Sequence, residues 1–208
     1  MDELGFSLYL ITDRAAARRP LPDVVEECLA AGLRAVQLRE KDLGAADLLG
    51  LGSMLRDSTR RQGAKLVVND RADVALALAA DGVQRTHASL PVEVLRRITP
   101  PGFLIGASVH SLDEARTVES QGADFIVFGP VYDTPSKRQY GAPQGLAALA
   151  AVSAAVRTPV IAVGGITPSR VVPVINAGAS GVAVITAILG ADRPADATKA
   201  FLDALGRA

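Results

Sequence analysis

Short β-branched runs recur along the chain, each followed by a helical pattern. SLYLITD (7–13) leads to PDVVEECLAAG, RAVQLREK (34–41) to ADLLGLGSMLRDSTRRQG, and KLVVND (65–70) to ADVALALAA. GVQR (82–85) leads to LPVEVLRRI, FLIGASV (103–109) to SLDEARTVESQGA, and FIVFGPV (125–131) to GLAALAAVSAAV. PVIAVGGI (159–166) with PSRVVPVINAGA and GVAVITAI (181–188) with DATKAFLDAL complete the series. Strands that alternate with helices pair in parallel through right-handed crossovers. Strands this apolar on both faces need cover on both sides. Eight units of about 25 residues predict an α/β fold, a single (β/α)8 TIM barrel. A doubly wound sheet is the alternative, but no Gly-x-Gly-x-x-Gly follows the first run. Gly32, Gly122 and Gly178 stand where helices must end. No linker or low-complexity tract divides the chain, which predicts one domain over 1–208.

Composition excludes several classes. Lys+Arg and Asp+Glu balance at 22 each, so no global field favours nucleic acid or an anionic membrane. No apolar run approaches a membrane span, and the N-terminus carries acids in place of a basic leader. The lone Cys28 lies in a helical pattern and reads as core packing. A cytoplasmic location fits these features.

In a barrel of this kind the reacting face is the C-terminal end of the strands, and polar residues gather there. On the second run Gln37, Arg39 and Lys41 share one face by alternation, with Glu40 on the other. Arg39 and Lys41 on the inner side demand anionic compensation. Asp70 supplies one charge and a phosphorylated ligand the rest; a rim ion-pair network with Glu40 and Asp42 is the alternative. Asn69 and Asp70 close the third run, where Asp70 could hold Mg²⁺ or pair with Arg39 or Lys41. Ser108 ends the fifth.

After the sixth run the chain breaks into Thr134, Ser136 and Lys137, either a solvated loop or a phosphate cradle. Gly164-Gly165 ahead of Pro168 exposes backbone N–H groups to an anion, and Thr186 lies on the eighth run. His87 and His110 are general acid or base candidates, although Ser111 beside His110 also reads as a helix cap. There is no zinc-type cluster, nucleophile elbow or Walker loop.

Six blocks, in order, resemble the thiamine phosphate synthase/TenI family over nearly the whole length. They are Ile11-Thr12-Asp13, Gln37 to Lys41, Asn69-Asp70-Arg71, Gly129 to Tyr132 with Thr134-x-Ser136-Lys137, Gly164-Gly165-Ile166, and Val184 to Ile188. The resemblance implies transfer of an aminopyrimidine diphosphate to a thiazole phosphate, giving thiamine phosphate and pyrophosphate. By that analogy Gln37, Arg39, Lys41 and Asn69 hold the pyrimidine diphosphate, and Asp70 holds Mg²⁺. Ser108 bonds near the leaving group, Thr134, Ser136 and Lys137 clamp phosphate, and Gly164, Gly165, Ile185 and Thr186 take the thiazole phosphate. Arg39, Lys41, Ser108 and Lys137 are then the catalytic set. The partners are small phosphorylated substrates, and because the family commonly forms dimers a homodimer is expected.

The chain departs from the family pattern after the fourth run. Synthases read Val-His-Leu-Gly-Gln-x-Asp, whereas this chain has Gln84 for the His and Ser89 for the second metal carboxylate. TenI-like thiazole tautomerases use a His where this chain has Pro130. Such an isomerase, with His110 or His87 moving the proton, is the alternative, as is a non-catalytic binder of thiazole or thiamine phosphate.

Overall fold

The computed structural model describes residues 4–134 and 142–208. Eight parallel strands close in sequence order: β1 (Leu8–Ile11), β2 (Ala35–Leu38), β3 (Lys65–Asn69), β4 (Gly82–Arg85), β5 (Leu104–Val109), β6 (Phe125–Phe128), β7 (Val160–Val163) and β8 (Gly181–Val184), with β8 returning to β1. Around them lie α1 (Leu21–Ala30), α2 (Ala45–Arg61), α3 (Ala72–Ala77), α4 (Val92–Ile98), α5 (Leu112–Ser120), α6 (Gly145–Ala155), α7 (Val171–Asn176), α8 (Thr186–Leu189) and α9 (Pro194–Leu205). The (β/α)8 barrel expected from the alternation is the architecture found. Among the described residues, no helix is long and apolar enough to cross a membrane.

Alternation along each strand sorts the core into two shells. Outward residues such as Leu8, Leu10, Val36, Leu38, Leu66 and Val68 join the helices in the outer shell, together with buried Cys28. Inward residues Tyr9, Ile11, Ala35, Val67, Phe125, Val127, Ile161 and Ala183 fill the lumen. Leu4 and Phe6, ahead of β1, join that inner group and plug its floor. Phe6, Tyr9 and Phe125 form an aromatic triad with ring centroids 5.4–5.8 Å apart, two of its three contacts edge-to-face. Each large apolar side chain buried this way stabilises the fold by about 1.5–3 kcal/mol. The triad fits because β5 carries Gly106 beside it: a Cβ there would sit 2.3 Å from the Phe125 ring.

The expected punctuation is present. Gly32, Gly122 and Gly178 all take positive φ just beyond α1, α5 and α7. Ser111 caps α5, accepting from the Glu114 N–H at 3.2 Å, while Glu114 accepts the His110 N–H at 2.6 Å.

Several strands stop earlier than their apolar runs suggest. β2 ends at Leu38, which moves Arg39, Glu40 and Lys41 into the following loop. β8 ends at Val184, so Thr186 is not on a strand: it opens the short α8. β6 gives way at the cis Gly129–Pro130 bond. At each of these ends the chain leaves the ladder to form the mouth, and apolar residues continue past the last strand pair because the mouth is itself packed.

Candidate active site at the C-terminal mouth

Four inward positions turn polar at the last step of their strands. Ala35 is followed two residues on by Gln37, Val67 by Asn69, Gly82 by Gln84 and Gly106 by Ser108. Register places Gln37 beside Ile11 and Val67, and Gln84 beside Asn69 and Gly106, so these side chains come from adjacent strands. Gln37 is buried, and its Nε2 donates to the Tyr9 hydroxyl at 3.1 Å. Burial pushes the Tyr9 phenol far above its ordinary range, with the Gln37 bond opposing, so it stays neutral. Thr12, fully buried, accepts the Arg39 N–H at 2.8 Å through Oγ1 and fixes the first residue beyond β2.

The cations of the β2–α2 loop are arranged differently from the alternation argument. Arg39 is half-buried, but Lys41 is exposed, so Lys41 carries no burial cost that a partner must offset. The rim network with Glu40 and Asp42 exists, yet its cation is Arg14 from the β1–α1 loop. Buried Glu40 accepts the Arg14 N–H at 3.0 and 3.2 Å and its Nη1 at 3.3 Å. The same guanidinium binds both oxygens of Asp42, one at 2.8 Å, and holds the Asp42 carboxyl below its usual range. The nearby acids are therefore engaged, and among the described residues neither Arg39 nor Lys41 has a carboxylate partner.

Of the two roles expected for Asp70, the ion pair with Arg39 or Lys41 is not formed. It adopts φ +65°, a left-handed conformation uncommon outside glycine, directly after β3. Its Oδ1 accepts the Ser89 hydroxyl, and Ser89 Oγ in turn accepts the Thr86 N–H at 2.8 Å and lies 2.9 Å from Thr86 Oγ1. Asp70 and Ser89, the two residues singled out for a metal, are thus in contact, with Thr86 as a third oxygen. Neighbouring Arg71 turns away to Asp73, whose carboxyl it holds at about 2.

On the other side of the mouth the groups are backbone. Gly164 and Gly165 take φ +100° and +63° after β7. A Cβ on Gly165 would lie 2.7 Å from the Asp133 carbonyl oxygen, so the root of the β6–α6 loop rests directly on this turn. Val131 N–H donates to Val163 O at 2.8 Å and Tyr132 N–H to Gly164 O at 3.1 Å. Arg170 Nη1 donates to Gly165 O at 2.6 Å, and its guanidinium stacks 4.4 Å above the Tyr132 ring. Ile185 is half-buried at the end of β8, and Thr186 is exposed beyond it. Thr134 is half-buried in the β6–α6 loop; Ser136 and Lys137 lie outside the described residues.

Both histidines are exposed. His110 Nδ1 sits 2.5 Å from the Gly129 carbonyl oxygen, which leaves Nε2 for any proton traffic. His87 has no hydrogen bond among the described residues.

Two cations without a carboxylate partner among the described residues, a cluster of hard oxygens and a glycine turn surround one mouth of a closed parallel barrel. The class so defined is a (β/α)8 barrel with its polar groups at the C-terminal strand ends, where such barrels carry their reacting face. The particular family follows from relatives. The family described as thiamine monophosphate synthase matches residues 8–188, and this chain belongs to it. It is 44% identical over 197 residues to the thiamine-phosphate synthase of Roseiflexus castenholzii, spanning 94% of this chain and 86% of that protein. Likeness to the thiamine-phosphate synthase of Methanoculleus marisnigri is also 44%, over 99% and 98% of the two chains. The solved thiamine phosphate pyrophosphorylase from Pyrococcus furiosus superposes with a TM-score of 0.89 at 38% identity, covering 97% and 96%.

Proposed function

We propose that this chain is a thiamine phosphate synthase: it joins an aminopyrimidine diphosphate to a thiazole phosphate and releases pyrophosphate. The observation that carries the reading is the free charge of Arg39 and Lys41, left at the mouth because Arg14 engages Glu40 and Asp42. Two such cations suit a ligand with a diphosphate. Charge-assisted hydrogen bonds to it are about twice as strong as neutral ones.

In this reading the protein supplies no nucleophile. The aminopyrimidine stabilises the benzylic-like cation formed when the C–O bond to diphosphate breaks. The work left to the protein is to neutralise the departing anion and exclude water. Gln37 and Asn69 orient the pyrimidine, Arg39 and Lys41 meet the diphosphate, and Ser108 donates a hydrogen bond near the breaking bond. Thr134, Ser136 and Lys137 clamp phosphate oxygens. The turn at Gly164 and Gly165, with Ile185 and Thr186, holds the thiazole phosphate so that its ring nitrogen attacks the cation.

Asp70, Ser89 and Thr86 offer hard oxygen donors suited to Mg²⁺. Among the described residues no three His, Cys, Asp or Glu side chains converge, so the protein would hold Mg²⁺ there through these oxygens. Mg²⁺ there would neutralise charge on the leaving diphosphate. The same reading expects a homodimer working in the cytoplasm.

Incubating both phosphorylated substrates with the protein and Mg²⁺ tests the proposal. Thiamine phosphate and pyrophosphate should appear in equal amounts, and omission of Mg²⁺ should abolish turnover. Absence of product at high protein concentration would overturn it.

A further inference from the structure

Gln84 is an inward residue of β4, almost fully buried, whose two amide ends meet different surroundings. Its Nε2 donates to Ser108 Oγ on β5 at 3.0 Å. Its Oε1 is buried and has no hydrogen-bond partner. That oxygen lies over Gly106: a Cβ on Gly106 would come within 2.4 Å of Oε1 and 2.3 Å of Phe125 Cζ. The glycine therefore opens the space in which the amide oxygen rests against the aromatic floor, and the amide nitrogen is turned up to the mouth. An unsatisfied buried acceptor destabilises the fold. The cost is tolerated for one contact, the bond to Ser108.

That bond decides what the Ser108 hydroxyl can do. A hydroxyl has one proton and two lone pairs. With one lone pair taken by Gln84, the O–H must point elsewhere, and Ser108 has no other partner among the described residues. Ser108 is half-buried, so its open side faces the mouth.

We propose that Gln84 is a positioning residue: by donating to Ser108 Oγ it aims the Ser108 proton at the oxygen of the departing diphosphate. The proposal rests on the synthase reading above. Gln84 itself is almost fully buried and acts through Ser108.

Gln84→Met gives the test, because methionine is of similar length and bulk while removing both the donor and the orphaned acceptor. Stability and turnover should then move in opposite directions. The melting temperature should hold or rise, since a buried unpaired oxygen has gone. Meanwhile kcat should fall about tenfold with KM nearly unchanged, the scale of one hydrogen bond that matters only in the transition state. In a Ser108→Ala background Gln84→Met should cost no further activity, because the group it aims is absent. Gln84→His, which can donate through a ring nitrogen, should recover part of the loss. A Gln84→Met protein that melts lower and loses the same factor with or without Ser108 would show a packing residue and overturn the proposal. If the wild type forms no thiamine phosphate, the synthase reading falls and this inference with it; if the wild type is active and the two effects add, only this inference falls.

Discussion

The mouth of the barrel has two unlike halves. From β2 to β5 the last inward position of every strand is a polar side chain: Gln37, Asn69, Gln84 and Ser108. From β6 to β8 the lumen stays apolar through Val127, Val163 and Ala183, and polarity comes from backbone at Gly164 and Gly165. Gln37, Gln84 and Ser108, each held by a side-chain hydrogen bond, suit a ligand that must be oriented and whose charge changes during reaction. A glycine turn, which allows close backbone approach, suits a phosphate that is only held. The proposed reaction assigns one phosphorylated ligand to the half that carries Arg39 and Lys41 and the other to the half that carries Gly164 and Gly165. The floor beneath both is the same aromatic triad, which closes the lumen.

Perturbing one half should leave the other nearly intact. The largest effect is expected for Arg39→Ala with Lys41→Ala. Loss of two charge-assisted contacts should lower kcat/KM for the pyrimidine diphosphate about a thousandfold. Steady-state kinetics with each substrate varied in turn should find the KM for thiazole phosphate within a factor of about three. A comparable rise in both KM values would erase the distinction between the halves.

Gly165→Ala probes the backbone half. The φ of +63° and the 2.7 Å approach to Asp133 O leave no room for a Cβ. The KM for thiazole phosphate should rise about tenfold, and stability should fall by about 1–3 kcal/mol in urea melts. Gly106→Ala strikes the shared floor, where the new methyl would meet Phe125 and Gln84. It should cost about 1–3 kcal/mol of stability and slow turnover without favouring either substrate's KM.

The smallest expected effect lies outside the mouth. Glu119 accepts the Arg157 N–H at 2.6 Å, the Thr158 N–H at 3.0 Å and the Thr158 hydroxyl at 3.2 Å, tying α5 to the entry of β7. Hydrogen bonding led by the Thr158 N–H lowers its pKa. A carboxylate lowered in the folded state stabilises above its ordinary value and loses that contribution as pH falls through the folded one. Glu119→Gln should therefore cost about 1 kcal/mol at pH 7 and converge with wild type in strong acid. Equal differences at both pH values would remove the carboxylate from the explanation.

The sequence is most legible where period decides. Alternation placed Gln37 inward and the count of runs predicted a closed barrel, because both depend on local spacing. It is least legible where charges choose partners across loops. Arg14 shows no periodicity that pairs it with Glu40, yet that pairing determines that Arg39 and Lys41 remain free. Strand ends are less legible: the runs carry on through Lys41 and Thr186, which lie beyond the last residues of β2 and β8. Gln84 stood out only as a departure from the family pattern. Its inward direction follows from its place two residues after Gly82, but the bond to Ser108 depends on the absent side chain of Gly106, a tertiary feature.

The freedom of Arg39 and Lys41 depends on Arg14, and calorimetric titration with inorganic pyrophosphate reads that dependence directly. Arg14→Ala strips the guanidinium from Glu40 and Asp42, leaving only the residue-14 N–H on Glu40, so both acids can compete for the two cations and affinity should fall about tenfold relative to wild type. Adding Glu40→Gln and Asp42→Asn to the same protein should bring it back. Unchanged affinity in Arg14→Ala, or a loss that the two amides do not reverse, would contradict the account.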